Sequence, residues 1–134
     1  MFSEKLSDLQ YKLIEDSGVW ARANYRGISY SDGSPVEERI FGIINNAADI
    51  SCLSDELRQH CTDWPSTYHL SSMRGNLLHS IAGCLSGEVL EIGAGCGAVT
   101  RYLGELGSQV LALEGTHRRA KIARERTRDL ENVT

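Results

Sequence analysis

The sequence predicts an α/β fold: a helical region over residues 1–66, then the front of a βαβ unit over residues 67–134. Three observations predict it. The run Val89-Leu90-Glu91-Ile92 is apolar apart from one acid and ends in the alternate glycines Gly93, Gly95 and Gly97, which let the backbone turn tightly. Val99, Tyr102, Leu103 and Leu106 follow at helical spacing, with Gly107 where a left-handed C-terminal cap belongs. A second apolar run, Gln109 to Leu113, ends in Glu114. This order of strand, glycine loop, helix, strand and acid puts a ligand crevice at the carboxyl ends of the strands.

Two kinds of cofactor use such a loop. Gly93, Gly95 and Ala98 satisfy the loose dinucleotide pattern G-x-G-x-x-G/A, and Glu114 lies at the right distance to bind a ribose diol. Glu91 discriminates between them. A carboxylate at the mouth of the loop would face a pyrophosphate, and like charges about 4 Å apart repel by roughly 4 kcal/mol at an effective dielectric of 20. An ammonium group is welcome at the same place. S-adenosylmethionine carries one, beside a sulfonium and a ribose with both hydroxyls free.

The run Val89-Leu90-Glu91-Ile92-Gly93-Ala94-Gly95-Cys96-Gly97 resembles motif I of the class I S-adenosylmethionine-dependent methyltransferases, E/D-x-G-x-G-x-G. Glu114 resembles that family's acid after the second strand. The resemblance covers roughly residues 86–116 and implies a Rossmann-like sheet. It also implies that Glu91 and the backbone of Gly93, Ala94, Gly95 and Gly97 line the methionine and ribose part of the cofactor. Glu114, with Gly115 beside it, would take the ribose hydroxyls.

Composition sets wide bounds. A chain of 134 residues, 41% hydrophobic and of net charge −4, can bury one modest core, and its acidity argues against a general nucleic-acid binder. Cysteines at 52, 61, 84 and 96 show no C-x-x-C pair or metal-like spacing, and His60, His79 and His117 show none either. Reduced thiols, no signal-peptide pattern and no apolar run approaching the roughly 20 residues of a membrane helix lead to the expectation of a cytoplasmic protein.

Along the chain, Phe2, Leu6, Leu9 and Leu13 recur at helical spacing behind Ser3, predicting a helix that ends near Gly18. Residues 19–33 read as irregular with a short extended piece. Ser34-Pro35-Val36-Glu37 predicts a helix start in which Ser34 caps, Pro35 takes the first position and Glu37 completes a capping box. That helix continues through Ile40, Phe41, Ile44 and Ala48 on one face, and another runs from Ser54 to His60. Asp63-Trp64-Pro65 breaks the chain. Residues 67–72 then lead into a helix with Met73, Leu77, Leu78, Ile81 and Ala82 on one side, ending between Gly83 and Gly87.

A helix just before the first strand resembles the one that lies over the cofactor in class I methyltransferases. Tyr68-His69-Leu70-Ser71 with Arg74-Gly75-Asn76-Leu77-Leu78 is similar to the segment before motif I in bacterial methyltransferases associated with polysaccharide and glycosyltransferase loci. That similarity implies that Tyr68 and Arg74 reach the methionine end, Arg74 pairing its carboxylate. The residues alone equally allow a packed tyrosine and a solvent-facing arginine. After Glu114, residues 116–131 have helical spacing in Ala120, Ala123, Thr127 and Leu130, and the arginine-rich opposite face with interspersed acids reads as solvated. Asn132-Val133-Thr134 reads as the entry to a third strand.

Two strands and one helix cannot cover both faces of a sheet, so the sequence reads as a truncated front portion of a longer enzyme or as a chain that completes its sheet by self-association at an open second-strand edge. The 134 residues alone are expected to be inactive. No catalytic residue is assigned; His69 is the histidine best placed to face the site, and it fits a structural role as well. Three functions remain open: an S-adenosylmethionine-dependent methyltransferase with a saccharide or small hydroxylated acceptor, an NAD-dependent oxidoreductase fragment, and a non-enzymatic module whose N-terminal helices bind a protein.

Overall fold

A computed structural model describes residues 2–134. The βαβ unit forms as the sequence predicts. Strand β3 (Glu88–Ile92) and strand β4 (Gln109–Leu113) pair in parallel, Glu88 opposite Gln109 through Ile92 opposite Leu113, and are joined by helix α6 (Ala98–Glu105). The end of α6 is closed by two bonds, Gly107 N–H to the Gly104 carbonyl at 3.0 Å and Ser108 N–H to the Leu103 carbonyl at 3.3 Å. They form the double bond of a Schellman stop. Helix α7 (His117–Arg126) follows, capped by Thr116, whose hydroxyl accepts from Arg119 N–H.

Residues 132–134 run beside β4 on its far side. Val110 and Val133 form a parallel bridge, and Val110 N–H donates to the Asn132 carbonyl at 2.8 Å. This corrects the expectation of an open second-strand edge: β4 has neighbours on both sides, and the outer edge of β3 has no strand beside it among the described residues.

The N-terminal region is not wholly helical. Helix α1 (Phe2–Asp8) stops after two turns, and strands β1 (Tyr11–Ile14) and β2 (Val19–Arg22) form an antiparallel hairpin where a helix to Gly18 was expected. The reason is local. Of the stripe's leucines only Leu6 is buried, while Leu9 and Leu13 face solvent. β-branched and aromatic residues on both sides of the turn at Ser17-Gly18 favour strand pairing.

Helix α2 (Ser34–Asn46) begins at Ser34 itself, with no side-chain cap, and Glu37 does not close a capping box. Ile40 and Ile44 are buried as expected, but the helix ends before Ala48, which is exposed. Helix α3 (Asp55–Arg58) is shorter than expected and is capped by Ser54. Asp63-Trp64-Pro65 starts a helix rather than merely breaking one. Helix α4 (Trp64–Leu70) has Asp63 as its cap and a reciprocal bond with Ser66.

The continuous helix expected from Met73 to Ala82 is replaced by α5 (Met73–Asn76) and a 3-10 segment, His79–Cys84. Met73, Leu77 and Ile81 are exposed, so no buried face holds a longer helix together. The larger core gathers Ile40, Ile44, Leu57 and Leu70 around Cys96 and Ile122, and a smaller one joins Leu103, Val110 and Val133.

Candidate functional site

Glu91, Gly93, Ala94, Gly95, Glu114, Gly115, Tyr68 and Arg74 line one cleft of about 570 Å³ at the carboxyl ends of β3 and β4. Pleating puts Val89 and Glu91 on one face of β3 and Leu90 and Ile92 on the other. Glu91 Oε2 accepts a bond from Thr100 Oγ1 at 2.6 Å. Burial pushes the Glu91 carboxyl above its ordinary range; the Thr100 bond opposes that, and the charge of Glu114 adds to it.

The glycine loop uses up most of its own amides. Gly93 N–H and Ala94 N–H both donate to the Leu113 carbonyl, at 2.8 and 3.0 Å, and Gly97 N–H donates to the Ala94 carbonyl at 3.0 Å. Gly95 N–H donates to Glu114 Oε2 at 2.7 Å, and Thr116 N–H to Glu114 Oε1 at 2.9 Å. A dinucleotide site needs such N–H groups free for pyrophosphate. Here they are engaged, and what the strand ends offer a ligand is two carboxylates.

Gly97 stands apart from the cleft lining. Its φ is +86°, and a Cβ there would lie 2.8 Å from the Ala123 Cα. Only glycine lets the start of α6 meet the backbone of α7 at that distance.

On the opposite wall, the Arg74 guanidinium lies 4.3 Å from the Tyr68 ring centroid, and among the described residues it pairs with no carboxylate. Tyr68 also meets Trp64 at 5.8 Å and the edge of His69 at 5.0 Å between ring centroids. Trp64 is exposed at the rim.

Asp32, His69 and Arg119 also line the cleft, and they belong to a network that sequence reasoning missed. His69, nearly fully buried, places Nε2 2.7 Å from Asp32 Oδ2, and Arg119 Nη2 donates to the same oxygen at 2.7 Å. Arg119 Nε donates to Glu37 Oε1 at 2.9 Å and Arg118 Nη1 to Glu37 Oε2 at 3.0 Å. The His69 bond, opposed by burial and helped by Arg119, holds Asp32 below the usual aspartate range. Burial alone would raise Glu37, but bonds from Arg119, Ser31 and Arg118 outweigh it and hold the carboxyl low.

The expectation that the arginine-rich face of α7 is solvated is therefore corrected. Arg119 and Arg126 are buried, and with Ile122 and Ala123 they occupy positions i, i+3, i+4 and i+7 of the face turned inward. That spacing was visible in the sequence, but only to a reading that allowed arginine stems into an apolar stripe. Asp32 gave no signal beyond a turn.

The cysteines are all free. Burial pushes the Cys96 thiol up to about 12, Arg119 opposing it, and burial with the charge of Glu105 does the same to Cys52. Among the described residues no group of three His, Cys, Asp or Glu could hold a metal, and no helix is long and apolar enough to cross a membrane.

No protein-family profile matches the chain, and no solved structure matches it. Its sequence relatives include the ribosomal RNA small subunit methyltransferase A of Streptococcus pneumoniae strains ATCC 700669 / Spain 23F-1 and 70585, each 48% identical over 47 residues, and of strain P1031, 46% identical over 47 residues. The match covers 35% of this chain and 16% of each relative. Over that short stretch the chain is similar to methyltransferases, the class whose motif the glycine loop and its two acids resemble.

Proposed function

We propose that the cleft binds S-adenosylmethionine and that this chain is the cofactor-binding portion of an S-adenosylmethionine-dependent methyltransferase. One observation carries the reading: the loop amides of Gly93, Ala94 and Gly95 are already bonded within the protein, so carboxylates rather than N–H groups meet the ligand. That suits a ligand with an ammonium, a sulfonium and a free diol, and it disfavours pyrophosphate and the NAD reading. The residues fit the cofactor. Glu91 would take the ammonium, Glu114 the ribose hydroxyls, and Arg74, with no other carboxylate to pair, the ligand's carboxylate.

Bound there, the cofactor supplies an electrophilic methyl group. The protein's part is to hold it in line with an acceptor and to keep water out, since methyl transfer is mostly a matter of positioning. His69 is committed to Asp32 and buried, which favours its structural role over that of a base.

For the acceptor we favour a saccharide or other small hydroxylated molecule, which the exposed Trp64 ring at the cleft rim and the acidity of the chain support. An RNA acceptor is the second reading, favoured by the names of the relatives. Titration calorimetry with S-adenosylhomocysteine tests the cofactor assignment. Binding that weakens at least about tenfold in Glu91→Ala and again in Glu114→Ala is expected, from the loss of charge-assisted bonds. Absence of binding, or wild-type affinity in both variants, overturns it.

A further inference from the structure

Between β2 and α2, residues 23–33 cross the acid end of the cleft with neither helix nor strand. Their two ends are held differently. At the α2 end, Ser31 donates to Glu37 at 2.9 Å and Asp32 is locked to His69 and Arg119. In the middle, Ile28 N–H and Tyr25 Oη both donate to the Gly115 oxygen, each at 3.1 Å, and the Arg119 guanidinium lies 4.9 Å from the Tyr30 ring centroid.

Gly115 directly follows Glu114, and the Ile28 side chain lies over it. A Cβ at position 115 would be 2.6 Å from Ile28 Cδ1. The missing side chain of Gly115 thus leaves room for the Ile28 side chain in this position. Tyr25, Ile28 and Tyr30 are nonetheless more than half exposed, at 56%, 57% and 71%. Ile28 and Tyr30 are held at the rim, and Tyr25 beside them, with more than half of their surface in water.

Ile28 is also a partition. It lines the cleft on one side and, on the other, a more apolar groove of about 580 Å³ between the hairpin and the sheet. A ligand whose diol reached Glu114 would bring its base to this wall.

We infer that residues 23–33 form a strap that closes on the nucleoside end of a ligand bound at Glu114, with Ile28 as the apolar wall against the base and Gly115 as the strap's seat. This deepens the cofactor reading and rests on it for the identity of the ligand, though not for the presence of a nucleoside. Closure would cover apolar surface now in water and shield the bonds to Gly115.

Hydrogen exchange at the Ile28 amide, together with tryptic cleavage after Arg26, tests this on the whole chain with S-adenosylhomocysteine, NAD and adenosine as separate probes. The expected result is that S-adenosylhomocysteine slows both at least about tenfold, and that Ile28→Ala weakens its binding about tenfold while lowering the melting temperature by no more than a few degrees. Tyr25→Phe should speed exchange at Ile28 in the free protein. If S-adenosylhomocysteine binds while exchange and cleavage are unchanged or faster, the strap is refuted and the cofactor reading stands. If only NAD or adenosine protects the strap, the strap stands and the cofactor reading falls. If no probe binds, both fall.

Discussion

The βαβ half and the half before it are held by different interactions. From β3 to residue 134, order comes from neighbours in sequence: a parallel strand pair, a glycine stop on α6 and the bridge from Val133 to Val110. The preceding half shares the larger apolar core with Cys96 and Ile122 and is tied on as well by polar side chains that reach across the chain. Arg128 donates to the carbonyls of Ile44 and Ala47 at 3.0 and 2.8 Å, closing the end of α2, and Arg126 reaches the Ser51 carbonyl at 3.1 Å. Glu105 accepts from Cys52 N–H at 3.1 Å, and Glu37 takes both Arg118 and Arg119. The glycine loop is thus bonded mainly to its own neighbours, while the wall that completes its cleft is positioned by the shared core and by long-range charge.

The largest expected effect comes from attacking the βαβ half at its tightest point. Gly97→Ala puts a Cβ against the Ala123 backbone and forces a left-handed conformation on alanine, at about 3 kcal/mol from the two penalties together. Urea denaturation should show that loss, and binding to the cleft should fall with it. A midpoint within error of the wild type would mean that the α6–α7 contact is loose.

Next comes the seam. Glu37→Ala removes the carboxylate from Arg118 and leaves the buried Arg119 with Asp32 alone, and should cost about 3 kcal/mol, with Glu37→Gln costing less. Because Asp32 and Glu37 titrate below their ordinary values, the unfolded chain takes up protons first as pH falls. Stability present at neutral pH is therefore lost progressively in the acid range, and Glu37→Gln should flatten that loss in thermal melts from pH 7 to pH 3. An unchanged profile would show that the ionic seam does not hold the halves together.

The smallest effect sharpens the site itself. Glu91 is raised rather than lowered, so it takes up a proton at higher pH than an exposed glutamate. Affinity for an ammonium-bearing ligand should then decline earlier on acidification than an ordinary carboxylate would allow, and Glu91→Gln should abolish the dependence. Calorimetry of S-adenosylhomocysteine binding across that range reads it directly.

The sequence made the first half of this comparison legible and hid the second. Strand limits at Glu88–Ile92 and Gln109–Leu113 followed from apolar runs closed by glycine and acid, signals that act within a few residues. Glu37 shows the opposite case. Its place two residues after Pro35 suggested a local capping role, yet the arginines it pairs with lie more than 80 positions away. The hairpin was hidden for a related reason: Leu6, Leu9 and Leu13 fit a helical stripe, but nothing packs against the last two, and local strand preference prevailed. Of the cleft, the residues next to the glycine loop were readable, while Asp32, Tyr30 and Ile28 arrive from an irregular segment whose course depends on charges elsewhere.

Glu114 has one more consequence. Both of its oxygens rest on main-chain donors, so the side chain has no rotamers left to lose when a diol arrives. Recognition there starts from a frozen acid, and the entropy of fixing it was surrendered when the loop folded. An ordered residue 114 in the free and the occupied protein alike is what such a site would show.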